Sequence, residues 1–418
     1  MRQSKTVLVF MWFIFLSWAS LAGVFEKYTA QQDPRVEEAI RLYAKTMITL
    51  RKAYNVLWEV WKVDKSVKPP TGPLEEPNFP YLIEQLKNLE KEVQSYQPSQ
   101  AIIDFLLAMS YWCWDTWELE FLIHQGALDK SERQKTLFKT PTGALIHIPY
   151  NPLYVEEALK YQMKAMKYDP DMYLSYTWDR ETDEVFYIVN WVNEEEYKEW
   201  VRATEERMGL LDIENKKDPD NIIRPSAKPI FTAIEGLYLA KQAFANAIYW
   251  LERGEKWWTE DFPRLTGRRV TRAYGPEALA GVRMLYLQQL KKSGDRDKLH
   301  PFLYINTKIF DTAHCLTRNG NPFVAVVPFL KALNMNFDWE AEGKSLTIKR
   351  GNENIGIERL NDEWKIIYKG KEKKDIEAYL KDEEIYLPLK ELCELLGLKL
   401  QWDEETYIGR VISGSIGK

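Results

Sequence analysis

The chain of 418 residues has a net charge of −5 at neutral pH, with 28% charged and 45% hydrophobic residues. This length predicts two or three domains with ordinary hydrophobic cores. The mild acidity and the lack of a basic tract argue against nucleic acid as a partner. Three cysteines, Cys113, Cys315 and Cys393, form no metal-type cluster, and an odd number leaves one unpaired in any intrachain scheme, so we expect buried free thiols.

The N-terminal residues have the three parts of a secretory signal. A basic tip, Met1–Lys5, precedes an uninterrupted apolar run from Val7 to Trp18, and Ser20-Leu21-Ala22 supplies a small-residue cleavage site. We therefore expect a signal peptide over residues 1–22, and a mature protein that is secreted or held at the cell surface without stable membrane insertion. The alternative is an uncleaved anchor, because Thr6 to Phe25 is about 20 residues without a charge, a length that can just span a bilayer.

Residues 33–300 predict one large, mainly helical domain, in which we recognise no family. Asp33 fits an N-cap and Pro34 the first helical position, and apolar residues at steps of three and four from Val36 to Trp61 form a buried stripe. Similar spacing predicts further helices near residues 82–96, 99–124, 152–168, 194–208, 230–253 and 276–293. Alternating apolar residues over 174–178 and 186–188 predict a small β-hairpin inserted among these helices.

Two stretches near the C-terminus, residues 323–340 and 386–404, are variants of each other at a constant shift of 63 residues. The shift places Asn334 on Gly397, the two residue types that best tolerate the left-handed backbone after a helix. Each copy therefore predicts a strand, a short helix, an Asn or Gly stop, and a strand that ends in Trp and an acid. Other equivalent pairs are Phe329 and Leu392, Leu333 and Leu396, Phe337 and Leu400, and Trp339 and Trp402.

The second copy resembles the copper amine oxidase N-terminal-like, or stalk, domain that recurs on secreted bacterial proteins. The residues that carry the resemblance are Tyr386-Leu387-Pro388-Leu389-Lys390, Gly397 and Trp402-Asp403, with linking strands at 345–348 and 364–371. The first copy departs from the family pattern, with Ala325 where Pro is usual and Asn334 for Gly. The resemblance implies a small α+β domain of two strand-helix-strand repeats over residues 311–418. The predicted fold class is thus α+β, with the large helical domain first and this smaller domain after it.

The resemblance does not imply amine oxidase activity, because in the enzyme for which the family is named this domain is an appendage. Its chemistry needs three copper-binding histidines and a quinone-forming tyrosine within an Asn-Tyr-Asp/Glu motif. This chain has four histidines in all and no Asn-Tyr pair followed by an acid. We therefore expect no amine oxidase activity. The resemblance implies a stalk or binding module instead.

Tryptophan is the most unusual residue type in the composition, with 16 in the chain, 11 of them between Trp58 and Trp258. Exposed aromatic rings stack on the apolar faces of sugars, so this region of an extracellular protein could bind cell-wall or extracellular polysaccharide. The candidate ligand-binding residues are Trp112, Trp114, Trp257 and Trp258. The alternative is that tryptophans at helical spacing belong to the core.

Four carboxylates on one aromatic-rich helix are candidates for catalysis. A carboxyl in an aromatic pocket has a raised pKa and can act as a general acid, and a pair of carboxyls can cleave a glycosidic bond. The candidates are Asp104, Asp115, Glu118 and Glu120. The alternative is that they simply accept hydrogen bonds from neighbouring Tyr or Trp side chains.

Two short spacings suggest a metal site. Glu120 and His124 lie four residues apart on one helical face, but no third ligand is visible nearby, and the alternative is an intrahelical hydrogen bond. Asp311 and His314 lie three residues apart next to Cys315, where the alternative is a turn or cap role. We predict no metal and no cofactor. The basic segment from Arg264 to Arg283 predicts a solvated loop. The alternative is that it binds an anionic wall polymer.

Two functional hypotheses remain. The first is a non-catalytic protein of the cell envelope or the extracellular space, in which a stalk or binding module carries a helical domain that binds polysaccharide. The second is a secreted hydrolase that cleaves glycans with a carboxylate pair in the helical domain. The sequence leaves the oligomeric state open.

Overall fold

The computed structural model describes residues 33–57, 75–93, 97–168, 175–179, 183–188, 195, 198, 229–261, 263–264, 275–340, 345–350, 353–360, 363–373 and 376–413. The fold is α+β, and the chain forms two compact units. The helical unit comprises residues 1–138, 145–254 and 261–271, and the strand-rich unit comprises residues 139–144, 255–260 and 272–418. The predicted signal peptide, and the predicted helix over 194–208 except for residues 195 and 198, lie outside the described residues.

Seven helices are described from the helical unit. They are α1 (Pro34–Leu57), α2 (Phe79–Glu92), α3 (Gln97–His124), α4 (Glu132–Lys135), α5 (Pro152–Tyr168), α6 (Pro229–Ala240) and α7 (Phe244–Lys256). The start of α1 confirms the predicted cap, because a carboxylate oxygen of Asp33 accepts the Arg35 N–H at 3.0 Å. The predicted hairpin is also confirmed, as β3 (Ser175–Asp179) paired antiparallel with β4 (Glu184–Ile188).

Helix α3 is the central element of the helical unit. Every residue from Ala101 to Tyr111 is buried, and the helix packs against α1, α2 and α5. The helix predicted near residues 99–124 is therefore confirmed, and its burial on all sides over this stretch places it at the centre of the unit. In the part of the chain that the structure describes, no helix is both long and apolar enough to cross a bilayer.

The single helix predicted over residues 230–253 is wrong, because the segment forms two helices, α6 and α7. Gln242 adopts a left-handed backbone with φ 54°, and the Ala243 N–H donates to the Tyr238 carbonyl at 2.8 Å, which ends α6. No Gly or Pro occurs at this point in the sequence, so the end of α6 could not be predicted from residue types. Helix α7 also passes Gly254 and continues into a π-helical turn, Trp257–Asp261.

A two-stranded sheet of β1 (Leu137–Lys139) and β2 (Leu145–His147) follows α4 and was not predicted from the sequence. Its turn, residues 139–144, is counted with the strand-rich unit.

The strand-rich unit contains three sheets, with helix α8 (Pro276–Ser293) preceding them. The first-copy elements are β5 (Phe302–Ile305), β6 (Lys308–Ile309), β7 (Cys315–Arg318), β8 (Asn321–Ala325), α9 (Val326–Ala332), β9 (Phe337–Glu340) and β10 (Ser345–Arg350). The second-copy elements are β12 (Glu363–Tyr368), β13 (Lys371–Lys373), β14 (Tyr379–Lys381), β15 (Glu384–Pro388), α10 (Leu389–Leu396), β16 (Lys399–Asp403) and β17 (Ile408–Ile412), with β11 (Glu353–Leu360) between the copies. The strand orders in the three sheets are β14-β15-β8-β7, β13-β12-β11-β10-β9 and β16-β17-β5-β6.

The predicted repeat is confirmed and is longer than its sequence signal. The shift of 63 residues carries every described hairpin register of copy 1, residues 302–350, onto the corresponding register of copy 2, residues 365–413. The backbone follows the same rule, since Asn334 and Gly397 both adopt left-handed conformations after their helices. The domain is therefore a tandem duplication of a whole unit of strands and one helix.

The two copies are related by a local twofold axis in the central sheet. Strands β8 and β15 pair antiparallel around Val324 and Leu387, which are themselves equivalent under the shift. The last hairpin of each copy also joins a sheet with the first strand of the other copy. In copy 2 the hairpin strand β17 pairs directly with β5 of copy 1. In copy 1 the hairpin strand β10 pairs with β11, which pairs in turn with β12 of copy 2. Buried side chains of both copies, including Phe329 and Leu392, form one shared core.

Helix α8 belongs to the strand-rich unit, whereas the sequence predicts it within the helical domain of residues 33–300. The side chain of Arg283 is buried, and it donates hydrogen bonds to the carbonyls of His300, Thr406 and Tyr407. The solvated-loop interpretation of the basic segment is therefore wrong for Arg283. This arginine fixes α8 against the turn between β16 and β17.

All three cysteines are buried thiols that form no disulfide, in agreement with the sequence-based expectation. Burial raises the pKa of both Cys113 and Cys393 to about 12. These two thiols are therefore protonated and unreactive near neutral pH.

Candidate functional site

Four aromatic rings from two antiparallel helices form a stacked row in the helical unit, which we call the aromatic ladder. Tyr111 and Trp114 lie on α3, and Tyr154 and Tyr161 lie on α5, at helical spacings that place each pair on one face. The Trp114 and Tyr154 rings stack with centroids 4.3 Å apart, and Tyr111 stacks on Tyr161 at 6.1 Å. Trp114 and Tyr154 are half-buried, so this end of the ladder reaches solvent.

Polar and charged groups surround the ladder. The Tyr154 hydroxyl donates to the Glu118 carboxylate at 3.2 Å, and the Lys87 ammonium donates to the Tyr111 hydroxyl at 2.8 Å. Burial, together with the Glu118 charge, raises the pKa of Tyr154 to about 12. The site therefore combines aromatic faces with hydrogen-bond donors and acceptors at their edges.

Two of the four predicted carboxylates serve the fold. The Asp115 carboxylate accepts the N–H groups of Asn151 at 2.6 Å and Tyr150 at 3.2 Å, just before α5 begins. Burial raises the pKa of Asp115 to about 6 in spite of these donors. The Glu120 carboxylate is held by Arg133, whose Nε lies 2.7 Å from one oxygen and 2.9 Å from the other.

Asp104 forms a carboxylate pair with Glu90, a residue of α2 that the sequence did not indicate. Both side chains are buried, and the Lys164 ammonium lies 2.7 Å from Glu90 and 3.9 Å from Asp104. Burial and then the Glu90 charge raise the pKa of Asp104 to about 8, although Lys164 acts in the opposite direction. The pair can thus hold a proton near neutral pH, but neither carboxyl lies open to solvent.

The four predicted tryptophans are not brought together in one site. Trp112 packs against a core cluster of Val155, Ala233 and Leu237, whereas Trp114 is part of the ladder. Trp257 is buried in the π-helical turn and Trp258 is half-buried next to it; both are counted with the strand-rich unit.

Tyr111, Tyr154 and Tyr161 were not predicted as partners of Trp114. The sequence shows that Tyr111 lies three residues before Trp114 on α3 and that the two tyrosines of α5 lie seven residues apart. It does not show that these two helices pack against each other. Among the residues that the structure describes, no three His, Cys, Asp or Glu side chains are grouped so that they could hold a metal ion.

One comparison with known proteins gives a match. The family model described as the copper amine oxidase N-terminal domain matches residues 304–408, about the last quarter of the chain and nearly the whole of the duplicated region. No curated protein and no solved structure is detectably similar to the chain. The match identifies a domain of the type found as an accessory module, and it leaves the helical unit unassigned.

Proposed function

We propose that this protein is a non-catalytic binding protein, secreted or held at the cell envelope, whose helical unit binds cell-wall or extracellular polysaccharide. The duplicated domain acts as its stalk or accessory module. The observation that carries the proposal is the half-buried Trp114–Tyr154 stack, with Glu118 at its edge. A pyranose ring can lie on such a surface through its C–H face and direct its hydroxyls to the polar rim.

The carboxylates favour binding over hydrolysis. A glycosidase needs two carboxyls that flank the scissile bond. Asp115 and Glu120 are engaged with backbone N–H groups and with Arg133. Asp104 is only 2% exposed. Of the four predicted residues, this leaves only Glu118 beside the open end of the ladder.

The proposed location rests on the N-terminal sequence. If the signal is removed after Ala22, the exported protein begins at Gly23. N-terminal sequencing of protein recovered outside the membrane of an expressing bacterium tests this point. Retention of residues 1–22 in a membrane-bound form would favour the anchor instead.

Co-sedimentation of the full chain with isolated cell-wall sacculi tests the binding site. We expect Trp114→Ala to weaken binding at least tenfold, because it removes the indole from the half-buried stack at the open end of the ladder. Tyr249→Ala is the matched control, since Tyr249 is an exposed aromatic residue of the same unit, at 53%, and lies outside the ladder. Both variants should show cooperative unfolding. Equal binding by the Trp114 variant and the wild type would refute the assignment.

The buried Asp104–Glu90 pair is the observation that favours the alternative hypothesis, a hydrolase, because a carboxyl with a raised pKa can donate a proton. The test is the release of new reducing ends from sacculi and soluble glycans by the wild type and by Asp104→Asn. Under the binding proposal neither protein releases any. Release by the wild type that Asp104→Asn abolishes would establish the hydrolase instead.

A further inference from the structure

A second candidate site lies within the strand-rich unit, in a pocket of about 420 Å³. Its wall combines the first turn of α8, the turn at Thr142, the side chain of Tyr304 on β5, and the β16–β17 hairpin. The size and the mixture of aromatic and polar groups are those of a small-molecule site. The residues that matter for its chemistry are Thr142, Glu277, Tyr304, Gln401, Trp402 and Arg410.

Gly409 makes room for the aromatic wall of this pocket. A Cβ atom at this position would lie 2.6 Å from the Leu303 side chain and 3.1 Å from the Trp402 ring. Glycine therefore allows the indole to pack directly against the backbone of strand β17. Copy 1 has Leu346 opposite Trp339 at the equivalent place. The pocket is therefore a feature of the second hairpin and not of the repeat as such.

The direct pairing of β17 with β5 supplies the second aromatic residue and the cation. Arg410 and Tyr304 are partners in the strand register, and the guanidinium lies 5.6 Å from the centre of the Tyr304 ring. The Tyr304 hydroxyl donates to the buried Glu255 carboxylate at 3.0 Å, which fixes the orientation of the ring. The Arg410 side chain itself is exposed and can donate to a ligand.

The charges of the pocket favour a neutral ligand. Glu277 is an exposed carboxylate that lines the same pocket as Arg410. Asp403 accepts hydrogen bonds at 2.9 Å from the Glu405 N–H and the Thr406 hydroxyl, so its charge is already partly compensated. Two carboxylates disfavour a polyanion, and the polar rim disfavours a purely apolar ligand. Donors and acceptors around an aromatic wall match the many hydroxyls of a sugar.

We infer that this pocket binds a neutral saccharide, with one ring against Trp402 and its hydroxyls bonded to Arg410 and Glu277. The inference shares the ligand class of the proposed function, on which it rests, but it places a second, independent site in the strand-rich unit. The Arg283 hydrogen bonds to Thr406 and Tyr407 hold the α8 wall and the hairpin wall in one geometry before the ligand arrives.

Isothermal titration of the full chain with the β-1,4-linked N-acetylglucosamine tetramer, cellotetraose and tetragalacturonate tests the inference. We expect saturable binding of at least one neutral tetramer and a weaker response to the anionic one. Arg410→Thr, which introduces the residue that copy 1 has at position 347, should reduce the affinity at least tenfold. Lys399→Thr is the matched control, an exposed cation of the same hairpin outside the pocket, and it should leave the affinity unchanged.

Trp402→Phe provides a second variant that keeps an aromatic ring in place, and it should reduce the affinity at least threefold. Binding of neither neutral tetramer, preference for tetragalacturonate, or unchanged affinity in Arg410→Thr would each overturn the inference. The Trp114→Ala variant separates the two sites. If it loses sacculus binding and still binds the tetramer, both assignments stand; if it loses the tetramer while Arg410→Thr retains it, the pocket assignment fails and the ladder assignment survives.

Discussion

The two copies of the duplicated domain share one backbone and present different chemistry. In one half, β17 pairs directly with β5, so Arg410 lies beside Tyr304. In the other half β11 is inserted, so Thr347 pairs with Gly356, and Gly356 pairs in turn with Ile367. One inserted strand thus separates the positions that the other half brings together. The comparison shows that the register of a repeat can persist while its surface acquires a site on one side only.

We expect the largest loss of stability from substitutions in the shared core of the two copies, where Phe329 and Leu392 are equivalent and fully buried. We expect Phe329→Ala to lower the free energy of unfolding by about 3 to 5 kcal/mol and Leu392→Ala by about 2 to 5 kcal/mol. Urea denaturation followed by circular dichroism measures both. Leu380→Ala, at an exposed position of copy 2, is the control and should change it by less than about 0.5 kcal/mol. A small loss at only one core site would show that the copies do not share the core equally.

The tryptophans that close the two hairpins give the next largest effect. Trp339 and Trp402 are both half-buried and pack against the shared core. We expect Trp339→Ala and Trp402→Ala to cost about 2 to 3 kcal/mol each, somewhat less than a fully buried Trp. Thermal unfolding measures the loss. If Trp402→Ala stayed within about 0.5 kcal/mol of the wild type, its structural role would be disproved and only its place in the pocket would remain.

The two-residue turns before β8 and β15 differ in how well their residues suit a left-handed backbone. Copy 1 uses Asn319 and Gly320, whereas copy 2 uses Asp382 and Glu383, all with positive φ. Glu383→Gly should therefore stabilise the domain by about 0.5 to 1 kcal/mol, and Gly320→Ala should destabilise it by about 1 kcal/mol. The midpoint of urea denaturation measures both shifts. A loss of stability in Glu383→Gly would mean that its side chain contributes more than its backbone conformation costs.

The smallest effect distinguishes Tyr386 from its equivalent, Phe323. Burial, and then Glu384, raises the pKa of Tyr386 to about 12 in the folded protein. A phenol in the unfolded chain ionises near pH 10, so the folded state binds the proton more tightly. Stability from this group is complete below about pH 10 and is lost as the pH rises towards 12. Tyr386→Phe should therefore lose less stability than the wild type between pH 9 and 11 in urea denaturation, whereas the exposed-site control Tyr379→Phe should follow the wild type.

The repeat was the most predictable part of the fold, yet only its middle was visible in the sequence. The helix, its stop and the Trp-containing strand keep recognisable residues in both copies. The outer strands keep only their register, as in Phe302–Ile305 and its counterpart 365–368, where the side chains have diverged. The placement of β11 and the twofold pairing of β8 with β15 depend on contacts far apart in the chain, which periodicity does not encode.

The candidate site was predictable residue by residue but not as an arrangement. Trp114 and the acidic residues of α3 were identified from one helix alone. Their partners, Tyr154 and Glu90, come from α5 and α2, and helix pairing is not contained in the spacing of either helix. The break at Gln242 was also missed, because no Gly, Pro or Asn marks this position and the exposed glutamine adopts the left-handed backbone without a local sequence signature.

The covalent linkage of the two copies has a consequence for how they can evolve. Each copy gives its hairpin to the other, as subunits do in an exchanged homodimer, but here the association is intramolecular and independent of protein concentration. In a homodimer every substitution occurs twice, once on each side of the axis. In this chain a substitution occurs once, which allows Gly409 to lie opposite Trp402 while Leu346 lies opposite Trp339. Gene duplication thus releases one side from the packing constraint of the other.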